Sequence, residues 1–288
     1  MIPRREAILA AGAACLTPAI AQVSGPPFRT GGALHDIEVS GIRILPGQWR
    51  PHYPWEQIAW ISPPWPSQEY MWLDFPEAIF TNQGLLYLSH TNPKFPSRFP
   101  DLPKIAWRQL PNGIGFERQL PNGVSFGGRL IRASETRVDM ELHLRNGTQE
   151  PLKDIALQTC LFLRGIKEFN DSTNTNKLVH VRSRGWITLS DAFAVKESEP
   201  APYRVGWRRS GRAVADLPVM VTLSSQARRL VAMTWRTDTL SLVGNPVHPC
   251  MHADPWFKDL APGESATIRG HIIFFEGDVS SFDSDKAL

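Results

Sequence analysis

The sequence predicts an all-β protein, a large antiparallel β-sandwich with a few short helical turns. Three observations carry this reading. The 25 prolines and 21 glycines among 288 residues punctuate the chain too densely for long helices. Apolar residues alternate with polar ones at a period of two in one segment after another. Beyond the N-terminus no run of twelve residues keeps a 3.6-residue period, and the strand-like segments recur about every ten residues, the spacing of sandwiches and barrels. Composition shows no break between residues 22 and 288, so that span reads as one domain. The 31 basic and 28 acidic residues leave a net charge of +3, too slight for a nucleic-acid surface.

The N-terminus reads as an export signal. Arg4 and Arg5 precede a short apolar run, Ala7 to Leu16, and Ala19-Ile20-Ala21 fits a cleavage site ahead of Gln22. The paired arginines suggest the twin-arginine route. No other stretch reaches the length of a membrane span. The expected location is the periplasm or the cell exterior. There Cys160 and Cys250 stand as either a disulfide or two separate buried thiols.

Taken in order, 22–33 is a loose lead-in, and Asp36 to Leu45 alternates around Gly41 as a hairpin or bulged strand. Pro46 to Gln68 carries six prolines among four tryptophans. That excludes a helix or a central strand and leaves an ordered loop whose rings plug a sheet edge or line a sugar-stacking groove. Tyr70–Phe80 and Leu85–His90 are strands joined by a Thr-Asn-Gln-Gly turn. Gln109-Leu-Pro-Asn-Gly and Gln119-Leu-Pro-Asn-Gly repeat one turn between antiparallel strands. Arg129 to Arg145 alternates as a half-buried strand with His143 on its wet face. Strands follow at Ile155–Leu163, Val179–Leu189, Val219–Leu223, Leu230–Thr234 and Thr239–Val243. Glu197–Pro202 and Ser210–Asp216 are linkers, and Ile268–Glu276 closes the sheet.

Chemistry concentrates in Val247 to Gly277, where His248, Cys250, His252, Asp254 and Trp256 crowd a proline-pinned loop. Residues two apart in extended chain share a face, about 6–7 Å apart. Three readings compete: an acid–base pair with His252 oriented by Asp254; a divalent-metal site on His248, His252 and Asp254, with His271, His180 or His90 as a further ligand; and side chains that only tie the loop down. Glu77, among apolar neighbours, and His180 are candidate catalytic partners from the opposite sheet. Arg182 and Arg184 suit an acidic substituent, His90 follows a strand end, and Trp72 and Trp256 offer rings to a sugar. No cofactor other than a metal is indicated, and nucleotide-binding and serine-hydrolase fingerprints are absent.

Three segments resemble the galactose mutarotase-like supersandwich group: Trp72-Leu-Asp-Phe-Pro-Glu77 with Leu85–Leu88, Leu120-Pro-Asn-Gly-Val-Ser-Phe126 with the strand leading to Arg145-Asn-Gly-Thr148, and the turn Asp259-Leu-Ala-Pro-Gly-Glu264. The resemblance implies a carbohydrate or sugar-acid ligand on a concave sheet. It also implies epimerase, hydrolase or polysaccharide lyase chemistry, which the group's epimerases perform with a histidine acid and a glutamate base. The expectation is therefore a secreted carbohydrate-active enzyme using His252, Asp254, His248, Glu77 and His180. The alternatives are a non-catalytic glycan-binding or cell-envelope protein and a metal-dependent enzyme.

Overall fold

In the computed structural model, which describes residues 39–195, 201–207 and 213–288, two nine-stranded sheets face each other. In chain order the strands are β1 (Ile44–Gly47), β2 (Ile58–Ile61), β3 (Met71–Thr81), β4 (Gly84–Leu88), β5 (Arg108–Leu110), β6 (Gly113–Gln119), β7 (Ser125–Arg132), β8 (Arg137–Arg145) and β9 (Ala156–Phe162). They continue as β10 (Lys177–Val181), β11 (Gly185–Thr188), β12 (Tyr203–Val205), β13 (Ala213–Ala215), β14 (Val219–Leu223), β15 (Arg229–Thr234), β16 (Thr239–Asn245), β17 (His248–Pro255) and β18 (Ser265–Glu276). One four-residue helix, α1 (Leu189–Ala192), and short 3-10 turns complete the described chain. The first sheet runs β1-β2-β3-β9-β17-β16-β12-β13, with β4 also on β3; the second runs β11-β10-β14-β15-β18-β8-β7-β6-β5. Pairing is antiparallel except between β12 and β16. The chain is thus the all-β sandwich its patterning predicts. Among the described residues no helix is long and apolar enough to cross a membrane. The export signal, the lead-in at 22–33, residues 36–38 of the first expected strand, and the 197–200 and 210–212 parts of the two linkers lie outside the described residues.

The alternation fixes which side of each strand is buried. Val138, Met140, Leu142 and Leu144 of β8 point into the core, while His143 faces outward and meets Glu117 at 2.7 Å. The two Pro-Asn-Gly copies form the β5–β6 and β6–β7 turns, with positive φ at Asn112 in one and at Gly123 in the other. Between the sheets lies one continuous apolar core, in which the Phe75 and Trp235 rings stack 6.0 Å apart. A smaller cluster on the outer face of the second sheet is covered by Phe282 and the C-terminal residues.

Several elements differ from expectation. The Pro-rich stretch 46–68 contains β2, which has partners on both sides. Its four residues, Ile-Ala-Trp-Ile, carry no proline, and the prolines of the stretch flank them. Arg129–Arg145 is two strands, because Ser134 and Thr136 turn the chain between β7 and β8. The segment 179–189 divides into β10, β11 and the start of α1, turning at Gly185 with φ of 70°. The linker 210–216 includes β13. The final strand β18 does not close a sheet; it lies inside the second one, between β15 and β8. The histidine-rich stretch is not a loop but β17, an inner strand of the first sheet between β16 and β9. Pro249 and Pro255 are tolerated near its ends, because the residues that pair with β9 are Cys250, Met251 and His252.

A candidate active-site cavity on the first sheet

Because β17 is a strand, its side chains alternate between the two faces of the sheet. Met251 and Ala253 enter the core, whereas His248, Cys250, His252 and Asp254 line a cavity of about 800 Å³ on the outer face. The neighbouring strand β9 alternates in phase: Leu157 and Leu161 go inward, and Ala156, Gln158, Cys160 and Phe162 line the same cavity. His252 is directly opposite Cys160, with Cys250 opposite Phe162, so the two cysteines are diagonal neighbours. Both are free thiols.

Glu77 arrives from β3 through an irregularity. Asp74 pairs with Cys160 and Ala78 with Gln158, so four residues along β3 span two along β9. A bulge of this kind re-aims side chains, and Glu77 here lines the cavity. Its carboxylate accepts from His90 Nε2 at 3.2 Å and lies 4.0 Å from His252 Nδ1. Asp254 is held by three donors. His252 Nδ1 and the Thr159 backbone N–H reach its Oδ1 at 3.2 and 3.1 Å, and Trp207 Nε1 reaches Oδ2 at 3.0 Å. The Trp207 ring also meets the His252 imidazole edge to face, 5.3 Å away. With Nδ1 donating to Asp254, His252 turns Nε2 toward Cys250 Sγ at 3.6 Å.

Charge follows from these contacts. Burial works against a His252 cation, but Asp254 and then Cys250 outweigh it and hold the imidazole well above its ordinary value. The hydrogen bond from Cys160 and the nearby His252 bring the Cys250 thiol down to about 5, and the same shared bond, with burial, pushes Cys160 well up. Burial disfavours the Glu77 carboxylate, yet His90 and His252 keep it below the usual carboxylate range. Both His90 ring nitrogens face acceptors, Glu77 Oε1 and Thr91 O, and despite burial its affinity for a proton is raised.

The remaining wall is aromatic and cationic. Trp49 stacks on Phe162 with ring centres 4.6 Å apart, Trp72 supports both rings from behind, and Phe80, Phe95 and Trp207 add further apolar surface. Arg50 lies over Trp49 and ion-pairs with Glu56 and Asp74. Arg204 of β12 also lines the cavity and makes no ion pair among the described residues. Trp55 and Trp65 are buried in the core instead, so the tryptophan-rich stretch both plugs the sandwich and contributes to the cavity.

Of the residues singled out in the sequence, His252, Asp254, His248, Glu77 and His90 come together here. Glu77 belongs to the same sheet as His252, not the opposite one. His180 does not join them: it is on β10 of the second sheet, bound to Asp216 at 2.7 Å and against Trp186. Arg182 and Arg184 lie in the β10–β11 turn, away from the cavity wall, and His271 on β18 pairs with Asp139. Trp256 is exposed beyond the end of β17 and is not part of the cavity wall. His248, Asp254 and His252 do not converge as metal ligands. Both Asp254 oxygens are taken by N–H donors, and exposed His248 packs against Phe162. The donor atoms that converge are Cys160 Sγ, Cys250 Sγ and a ring nitrogen of His252, all within 4.8 Å of one another. Sequence reading missed Cys160, Trp49, Trp207 and Arg204 as parts of one cavity. The alternation Cys250-x-His252-x-Asp254 was the available signal for a strand.

No family model matches the chain, and no curated protein matches it. Among solved structures, the Slr1438 protein from Synechocystis sp. PCC 6803 is similar, with 8% sequence identity and a TM-score of 0.44. That match covers 84% of this chain and 100% of the other.

Proposed function

We propose that this chain is an exported carbohydrate-active enzyme that moves a proton on a sugar or sugar acid bound in the cavity of the first sheet. The observation that carries the reading is the position of Glu77, a carboxylate set between His90 and His252 in the wall of an aromatic-rimmed cavity. A carboxylate so placed reaches a substrate proton on the open side, while its other oxygen stays anchored to His90. The exposed Trp207 offers a ring to the apolar face of a pyranose, and the stacked Trp49 and Phe162 add an apolar wall beside it. Arg204 suits a uronate carboxylate or a sulfate. The resemblance to the mutarotase-like group and the N-terminal signal pattern point the same way.

The test is a panel of neutral and uronate-containing polysaccharides, assayed for new reducing ends and for unsaturated-uronate absorbance, with wild type and Glu77→Gln run together. The expected result is turnover on at least one acidic glycan, reduced about 10²–10⁴-fold by the substitution. Glycan binding without turnover would favour a binding protein, and turnover unaffected by Glu77→Gln would remove Glu77 from the chemistry.

A further inference from the structure

We infer that Cys160, Cys250 and His252 form a binding site for a soft divalent cation, zinc in the first instance, with its fourth position open to the cavity. Two thiols and an imidazole are the donor set that such an ion takes in catalytic sites, where three protein ligands leave room for water or substrate. The spacing fits. A tetrahedral zinc with Zn–S near 2.3 Å and Zn–N near 2.05 Å holds sulfur and nitrogen about 3.6 Å apart, and Cys250 Sγ lies 3.6 Å from His252 Nε2. All three donor atoms lie within 4.8 Å of one another, so closing onto an ion asks for about 1 Å of movement at most.

The surroundings of the donors support the same assignment. His252 turns Nε2 toward the sulfurs because Nδ1 donates to Asp254, and Asp254 is itself fixed by Thr159 and Trp207. A carboxylate behind a ligating imidazole fixes its tautomer and orientation and strengthens it as a donor. The ligands come from two hydrogen-bonded inner strands, with Cys160 directly opposite His252, so the backbone sets their separation. Phe162, Trp49 and Trp72 enclose the thiols in apolar surface, which keeps bulk water from the donor atoms. In the same cavity wall stands Glu77, 4.0 Å from His252 Nδ1, the ring nitrogen turned away from the sulfurs. A water on the ion would lose its proton near neutral pH, and the Glu77 carboxylate in the cavity wall would receive it. This part rests on the function proposed above; the metal site does not.

The experiment uses the full chain, purified under reducing conditions without chelator. Metal content is measured, and the chain is then stripped and reloaded with cobalt(II). The expected result is one ion per chain, a rise in melting temperature on loading, and a cobalt spectrum with sulfur-to-metal charge-transfer and tetrahedral bands. Cys160→Ser, Cys250→Ser and His252→Ala should each lose the ion, and His248→Ala should keep it. Asp254→Asn should weaken affinity about 10–100-fold while keeping the charge-transfer band. Should the ligand variants fail to fold, the wild-type cobalt spectrum still decides: bands without sulfur character overturn the assignment. An intact mass two hydrogens short of the reduced chain, after purification without reductant and with no metal present, would mean that the cysteines pair with each other and would also overturn it. The two proposals fail separately. Glycan turnover by a chain that takes up no metal or cobalt sinks the metal site alone, and a stoichiometric ion with no turnover on any glycan sinks the carbohydrate reading alone.

Discussion

Arg50 shows how much of the cavity wall depends on one cation. Its guanidinium reaches Glu56 and Asp74, whose side chains are 1% and 3% exposed, while Ser89 adds a hydroxyl to Asp74. Removing one partner from a buried ionic group leaves the others uncompensated, at a cost of about 3–5 kcal/mol. Arg50→Met should therefore lower the melting temperature sharply, and the loss should depend on pH. Burial pushes Asp74 up to about 7 against the downward pull of Arg50. A carboxyl whose folded value is raised stabilises fully below its unfolded value near 4, and that contribution is lost as pH rises through the folded value. Without Arg50 the folded value rises further. The gap between variant and wild type should accordingly widen from about pH 5 to about pH 8. Melting curves at the two pH values check this, and a gap that stays constant or narrows counts against the ion pair as the main contribution of Arg50.

At the scale of elements, the cavity exists because neighbouring strands from β3 to β12 project side chains on one face, and β3 does so only with the help of its bulge. Just before Glu77, Phe75 turns inward beneath Gly128 of β7. A Cβ added at Gly128 would lie 2.5 Å from the Phe75 ring and 3.1 Å from Leu142. Gly128→Ala should cost about 1–3 kcal/mol by overpacking. Combined with Phe75→Leu it should cost less than the sum of the two single changes, since both act on one space. Denaturant titration of the four proteins tests this, and simple additivity would place the strain elsewhere. The same elements show what was legible in the sequence. Strands with one wet face, such as β8, announce themselves by alternation. The strand β17 hid because both its faces are covered, one by the core and one by the cavity, so its polar residues read as loop chemistry. The prolines at 249 and 255 strengthened that impression, although each lies where a ladder hydrogen bond is not needed. The histidine–aspartate pair was legible because it is local. Cys160, Trp49 and Arg204 were not, since only strand order brings β9, β1's flanking loop and β12 beside β17.

Across the whole molecule, the candidate site combines a base of inner strands with a rim near a sheet edge. The base, β9 and β17, has partners on both sides, in the order β3-β9-β17-β16, and its inward residues Leu161, Met251 and Ala253 are fully buried. Trp207 and Arg204 belong to the β12 end, two places from the base and next to the last strand of that sheet, β13. Amides of inner strands exchange with solvent only through large-scale opening, whereas edge strands open locally at lower cost. Hydrogen exchange followed by mass spectrometry should therefore find peptides over 156–162 and 248–255 among the slowest in the chain, with those over the edge strands at 44–47, 108–110 and 213–215 exchanging much earlier. Occupation of the cavity by a ligand should then slow 203–207 and the segment carrying His90, while leaving 156–162 and 248–255 almost unchanged. Such a contrast would mean that the thiols, His252 and Asp254 are preorganised by the sheet and that the ligand orders only the rim. Exchange over 248–255 as fast as at the sheet edges would instead make the base itself mobile, and the fixed spacing of Cys160, Cys250 and His252 would no longer follow from the fold.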